Sequence, residues 1–238
     1  MNKEEVVRTL QIQREIFGED LYVKSLNIEK RVKEKEVKPI PEDIFVASEE
    51  FQKANSLEEL NSLICNCQKC SLGATRNKFV FGTGNINAKV MVIGEGPGAD
   101  EDAKGEPFVG RAGKLLTDIL KAINFDRDEV FIANVVKCRP PGNRTPTSEE
   151  METCIPYLKK QIELIQPSLI LCLGLTAAQG ILKKKDSLTN LRGQVFPFEN
   201  AKIMVTYHPA ALLRNPNWKR GCWEDVQQFR KLYDEMFS

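Results

Sequence analysis

Four cysteines in two pairs are the residues of this chain whose spacing most plainly allows chemistry. Cys67 and Cys70 form a C-x2-C hook, and Cys138 and Cys154 form a wider pair with 15 residues between them. A tight C-x2-C turn brings two sulfurs to the same side of the backbone, where both can bind one metal centre. Zinc ribbons usually repeat that hook, whereas the second pair here spans a proline-rich loop and the start of a helix. An iron–sulfur cube has four irons at its corners and accepts ligands spread widely along a chain. On spacing alone a metal site is expected and both metals stay open. The alternative is two unrelated pairs, with Cys70 and Cys138 as buried hydrophobes. Cys65 rivals Cys67 for the hook with a poorer C-x-C bite, Cys172 lies in an apolar run and reads as core, and Cys222 has no evident partner.

The other residues with chemistry follow apolar runs. GEGPG at 94–98 lacks the GK[ST] ending of a phosphate loop, and Pro97 interrupts a dinucleotide G-x-G-x-x-G. Its glycines let a flat ligand approach the backbone closely, and Glu95 places a carboxylate at the end of the run. Asp100, Glu101 and Asp102 come next, as a magnesium site or, by default, a solvated acidic turn. Phe108, in GEPFVGRAG, is either a core residue or a stacking ring, and Asn134 closes an apolar run where it can cap a turn. His208 is the only histidine; it ends a run, is fixed by Pro209 and precedes a basic loop with paired leucines, a context that favours a site role. Residues 134–147, with Lys137, Arg139 and Arg144, contain no acid, nor do residues 201–220, with Lys202, Arg214, Lys219 and Arg220. Adjacent in space, they would make a basic patch; apart, they are two solvated loops.

The elements that must position these residues follow from the pattern of the whole chain. Its 238 residues, 42% hydrophobic and 28% charged, suit one α/β domain with something to spare, or two very small ones, and exclude a disordered or fibrous chain. No stretch approaches the roughly 20 apolar residues of a membrane helix, so no membrane partner is expected. The start, MNKEEVVRTLQ, carries acids and no apolar centre, so no secretory signal is expected either. Seven cysteines then imply a reducing compartment, and a cytoplasmic location. Residues 1–50 hold 9 basic against 12 acidic side chains, and residues 51–238 hold 25 against 21.

Residues 1–38 read as helix with a mixed-charge run at 29–38, broken by Pro39 and Pro41. Residues 38–50 read as a linker, and Ser56 caps a short helix through Ile64. The chain thus divides into a helical and linker extension at 1–50 and a domain at 51–238. From residue 88 onward, KVMVIGE (89–95), EVFIANVV (129–136), SLILCLG (168–174) and KIMVTYHP (202–209) are apolar on both faces, as strands covered on both sides are. Helical patterns occupy 111–124, 148–165, 175–182 and 223–237. This alternation predicts a three-layer α/β/α domain with a four-stranded, mostly parallel sheet. Such sheets bind ligands beyond the carboxyl ends of their strands, and GEGPGADED, NVVKCRPPGNR and YHPAALLRNP all follow strand ends.

Taken together, C-x2-C, GEGPGADEDAKGEPFVGRAGKLL, NVVKCRPPGNRTP, the second cysteine pair and HPAALLRNP run in order over about residues 62–237. This series resembles the uracil-DNA glycosylase superfamily and, within it, the iron–sulfur branch, family 4; residues 1–50 lie outside the resemblance. The resemblance implies a DNA repair enzyme that flips uracil from the duplex and hydrolyses the bond from its N1 to the deoxyribose C1′, leaving an abasic site. It implies uracil-containing DNA, single- or double-stranded, as partner, and a monomer. It also implies a 4Fe-4S cluster on Cys67, Cys70, Cys138 and Cys154, with a structural role in pinning the basic loop.

In the same resemblance Gly94 and Gly96 line the base, Phe108 stacks on it, Asn134 reads its edge and His208 stabilises charge developing on O2. Lys137, Arg139, Arg144 and Arg214 hold phosphates, and Leu212 wedges into the gap in the base stack. The first motif of family 1 reads GQDPYH, with an aspartate that positions water and a tyrosine that excludes the thymine methyl. Gly96 and Gly98 stand at those two positions here, so water activation falls to Glu95 first and Glu101 second. Two other classes share part of the pattern. A non-catalytic DNA-binding module would keep fold and cluster, and a ferredoxin-like electron carrier would need neither Asn134, His208 nor the basic loops.

Overall fold

The computed structural model describes residues 3–18 and 50–238, so the expected helix beyond residue 18 and the expected linker up to residue 49 lie outside the described residues. Among the described residues six strands form one sheet: β1 (Thr83–Gly84), β2 (Val90–Gly94), β3 (Phe131–Asn134), β4 (Leu169–Leu173), β5 (Val195–Phe198) and β6 (Ala201–Thr206). Their order is β1-β3-β2-β4-β6-β5. The four strands predicted from apolar runs are β2, β3, β4 and β6, mutually parallel at the centre. The expected count of four is corrected by an antiparallel strand at each edge. Neither edge strand carries a continuous apolar run: β1 is two residues long, and β5 reads VFPF, with a proline that only an edge strand tolerates.

Among the described residues ten α-helices surround the sheet: α1 (Lys3–Phe17), α2 (Leu57–Ile64), α3 (Ser71–Thr75), α4 (Ala99–Lys104), α5 (Arg111–Ala122), α6 (Ser148–Ile165), α7 (Leu175–Leu182), α8 (Leu188–Leu191), α9 (Pro209–Arg214) and α10 (Lys219–Phe237). The central strands are buried on both faces, and successive residues alternate between two apolar clusters. Met91, Ile93, Ile170 and Cys172 pack with α2, α6 and α7, whereas Val90, Val92, Leu169 and Leu171 pack with α5 and α10. The layers are therefore α/β/α, as the alternation requires. The Ser56 hydroxyl accepts the Glu59 N–H at 3.1 Å and starts α2, and Thr147 with Glu150 makes a capping box that starts α6.

The helix α1 lies on the α5–α10 side. Its Ile16 and Phe17 join that core, the Phe17 ring sits 4.6 Å from that of Trp223, and Gln13 Nε2 donates to the Ala122 carbonyl at 2.7 Å. No described helix is long and apolar enough to cross a membrane. The ends of β2, β3, β4 and β6 then open on one edge of the sheet. In register, Gly94 is the neighbour of Asn134, and Leu173 that of Thr206, two residues before His208.

Candidate functional site

Gly94 ends β2 beside Asn134, and the space between them is set by what Gly94 lacks. A β-carbon there would lie 2.5 Å from Asn134 Oδ1 and 2.6 Å from Phe108 Cζ. The glycine therefore lets an amide and an aromatic ring converge at one strand end. The Asn134 side chain is buried, and its Oδ1 has no hydrogen-bond partner among the described residues. A buried amide oxygen without a partner costs about 1–3 kcal/mol, so a fold that keeps one there is arranged for a donor that arrives with a ligand. Phe108 sits at φ 54°, a conformation uncommon for an aromatic residue. Glu101 holds that loop: its Oε1 accepts the N–H groups of Val109 and Gly110 at 2.9 and 3.1 Å, and its Oε2 accepts that of Gly98 at 3.0 Å.

His208 follows the end of β6 by two residues and caps α9. Its Nδ1 accepts the Ala210 N–H at 3.2 Å, which leaves the proton of the neutral ring on Nε2. Burial, reinforced by the charge of Arg214 and opposed by Glu101, brings its pKa from 6.5 down to about 4. The imidazole is therefore neutral near pH 7 and a hydrogen-bond donor. Its ring centre lies 5.6 Å from that of Phe108. Gly174, at φ +87°, allows the approach from β4, since a β-carbon there would sit 3.1 Å from His208 Cβ. Glu95 follows Gly94, half-buried, and its carboxylate has no hydrogen bond to a described residue. Gly96 lies against Val136, where a β-carbon would meet Cγ2 at 2.6 Å.

Several sequence expectations are corrected at this edge. Glu101 was second in line to activate water, but its carboxylate is committed to three backbone N–H groups and positions the Phe108 loop. Lys137 was expected to hold phosphate, yet it is wholly buried. Its ammonium donates to the Asn134 carbonyl at 3.0 Å and to Gln161 Oε1 at 2.5 Å, and burial lowers its pKa to about 8 against the pull of the nearby sulfurs. Leu212 was expected to wedge into DNA, but it is fully buried among the α5–α10 core, and the exposed leucine is Leu213. Arg144 is exposed but paired: it makes two bonds to Glu150, at 2.8 and 2.6 Å, which with the Thr147 N–H hold that carboxyl at about 2. Arg139, whose Nε donates to Asn143 Oδ1 at 2.8 Å, and Arg214 have no acidic partner among the described residues.

The four cysteines of the two pairs come together on the α2–α6 side of the sheet. Burial raises the pKa of Cys138 and pushes Cys154 up to about 12, and in both the neighbouring cysteine sulfurs raise it further: Cys70 and Cys67 for Cys138, Cys138 and Cys67 for Cys154. Three donors aim at these sulfurs. Tyr157 Oη reaches Cys67 Sγ at 3.2 Å, Arg76 Nη1 reaches Cys138 Sγ at 3.3 Å, and the Lys137 N–H reaches Cys154 Sγ at 3.4 Å. Donors directed at sulfur stabilise thiolates, so this set fits a thiolate-bound group. Among the described residues no three His, Cys, Asp or Glu side chains are arranged to hold a metal ion. Cys172 and Cys222 are buried core residues, and Cys65 Sγ faces the Ser62 carbonyl.

The sequence reading missed Arg76, Tyr157, Gln161, Gly174 and Leu213. Tyr157 had a signal, because it stands one helical turn from Cys154 on the same face of α6. Gln161 is brought to Lys137 only by the fold.

Comparisons with known proteins fit this geometry. The family model described as the uracil DNA glycosylase superfamily matches residues 81–227. A type-4 uracil-DNA glycosylase of Archaeoglobus fulgidus is 44% identical over 185 residues, which is 74% of this chain and 93% of that protein. One from Sulfurisphaera tokodaii is 44% identical over 187 residues, 75% of this chain and 85% of that protein. One from Pyrobaculum aerophilum is 44% identical over 181 residues, 73% of this chain and 92% of that protein.

Proposed function

The chain belongs to the uracil DNA glycosylase superfamily, and from that premise we infer its activity. It is a uracil-DNA glycosylase, a DNA repair hydrolase that cleaves the N-glycosidic bond of uracil in DNA, releasing free uracil and leaving an abasic site. The observation that carries the reading within the structure is the buried, unpaired Asn134 Oδ1 beside Phe108, Gly94 and a neutral His208.

A flipped uracil enters with its ring on Phe108. Its N3–H donates to Asn134 Oδ1, and its O4 accepts from the amide nitrogen. Cytosine presents the reverse pattern of donor and acceptor and would leave the buried amide unpaired, which is a strong basis for rejection. As the bond from N1 to C1′ breaks, negative charge gathers on O2. The Nε2–H of His208 is assigned to meet that charge, and a neutral donor aimed there acts mainly in the transition state. Glu95, half-buried at the end of β2, is assigned to orient the attacking water. Arg139 and Arg214 hold backbone phosphates, and Leu213 enters the gap in the stack.

The family 4 resemblance, the converging sulfurs and their three donors support a 4Fe-4S cluster held by Cys67, Cys70, Cys138 and Cys154. Bound, such a group deprotonates its thiols and cross-links the segments that carry them. The chain's own residues then tie that anchor to the pocket, since Lys137 bonds the Asn134 carbonyl and its N–H faces Cys154.

The reading is tested by incubating the purified protein with oligonucleotides carrying a single uracil, thymine or cytosine at the same site, followed by alkali. Strand scission at uracil alone is expected. Retention of the DNA in a gel shift without any scission would leave a binding module instead.

A further inference from the structure

We propose that the exposed face of Trp218 is a stacking site for an unpaired nucleobase of single-stranded DNA, beside the pocket that takes the flipped base. The inference rests on the DNA-repair reading above and adds a subsite to it. Trp218 ends the 3-10 turn at Pro216–Trp218, directly after α9. Its indole is stacked on Tyr207, with ring centres 5.2 Å apart and planes 14° from parallel. Tyr207 is backed in turn by Arg192, whose guanidinium carbon lies 3.9 Å from the tyrosine ring centre and whose Nη1 donates to the phenol oxygen at 2.8 Å. Arg192 is itself held by Asp225 at 2.7 Å, and Asp225 also accepts from Thr206 at 2.7 Å. Guanidinium, phenol and indole thus form three layers anchored in the core, and the outermost is 42% exposed. The other tryptophan, Trp223, is 5% exposed, as a packing residue is.

An aromatic ring fixed in this way is preorganised to stack and loses little freedom when it does. The occupant follows from the charge around it and from continuity with the pocket. Residues 201–220 carry no acid, and Leu213, Arg214, Asn217 and Arg220, all within five residues of Trp218 in sequence, are exposed, with Arg220 only loosely paired to Glu224 at 3.5 Å. Tyr207 is the residue before His208, so the platform shares its backbone with the pocket. A flat apolar face amid cations suits a base on an anionic backbone. In a duplex each base is covered by its neighbours, whereas in a single strand a base face is free to stack, typically on such aromatic rings.

The experiment uses a uracil-free single-stranded oligothymidylate and the full chain with Trp223→Phe, which leaves Trp218 as the only tryptophan. Binding should quench the tryptophan emission as the oligonucleotide saturates. Trp218→Ala should weaken single-strand affinity about tenfold, Trp218→Phe should recover most of it, and duplex affinity should change less than about twofold. Unchanged emission on saturation, or a Trp218→Ala protein with full single-strand affinity and an unaltered melting temperature, would overturn the proposal. Uracil release is measured on the same preparations. Quenching without uracil release defeats the glycosylase reading and leaves the stacking site; uracil release without quenching defeats the stacking site alone.

Discussion

Asn134 and Cys138 stand four residues apart on one segment, yet their surroundings are opposite in kind. At Asn134 a buried acceptor is left without a donor, and the space in front of it is kept open by Gly94. At Cys138 and its partner cysteines, donors from Arg76, Tyr157 and the Lys137 backbone converge on sulfur. The first arrangement waits for a ligand that brings a hydrogen-bond donor. The second directs donors at sulfurs, as thiolates on a bound group would require. Lys137 lies between them, its ammonium on the pocket side and its N–H on the cysteine side. A polar group left open and a polar group over-supplied are thus two different marks of function, and a buried lysine joins them.

The comparison breaks most severely at the cysteines. Cys138→Ala should abolish iron content and most soluble yield, because a group that cross-links distant segments contributes to folding outright. Anaerobic purification and metal analysis check this, and stoichiometric zinc without iron in the parent protein would exclude the cluster. The next effect is on stability at α9. Leu212→Ala should cost about 2–5 kcal/mol in urea unfolding, whereas Leu213→Ala should change stability by less than about 0.5 kcal/mol while lowering uracil release from duplex DNA. The reverse pattern would restore Leu212 as the wedge. Smallest is the electrostatic contrast. Arg139→Ala should lower the slope of log affinity against log salt by about one. Arg144→Ala should lower it by less, its charge being offset by Glu150, and should show instead as a lower melting temperature. Equal slopes for the two variants would mean that Arg144 leaves Glu150 for phosphate.

The central strands were legible because burial on both faces leaves an unbroken apolar run, and α6 ran as predicted over Ser148–Ile165. The edges were not, since a two-residue strand and a strand containing Pro197 give no such run. That Gly94, Asn134 and His208 gather at one edge was legible from their positions at or just beyond strand ends, whereas Phe108, between α4 and α5, was singled out only by its motif. What failed was the direction of side chains in short segments. Two adjacent leucines in the six-residue α9 give no helical phase, so 212 and 213 could not be told apart. Lys137 looked like part of a basic loop because Gln161, which satisfies it, is supplied by α6 from 24 positions away. The pairing of Arg144 with Glu150 had a sequence signal, because Thr147 and Glu150 have the spacing of a capping box three residues beyond it.

The central claim is that a neutral His208 donates to the departing base, and the direct measurement is single-turnover cleavage of saturating uracil-DNA against pH, for the parent and His208→Ala. With the imidazole pKa held near 4, the neutral donor persists across the physiological range. The parent rate should therefore show no loss as pH rises from about 6 to 8 that is traceable to this ring. His208→Ala should lower the rate by roughly 10² to 10³, with affinity changed far less. A parent rate that falls through pH 6–7 as an imidazolium deprotonates, or a variant that binds poorly yet cleaves at the parent rate once bound, would contradict it.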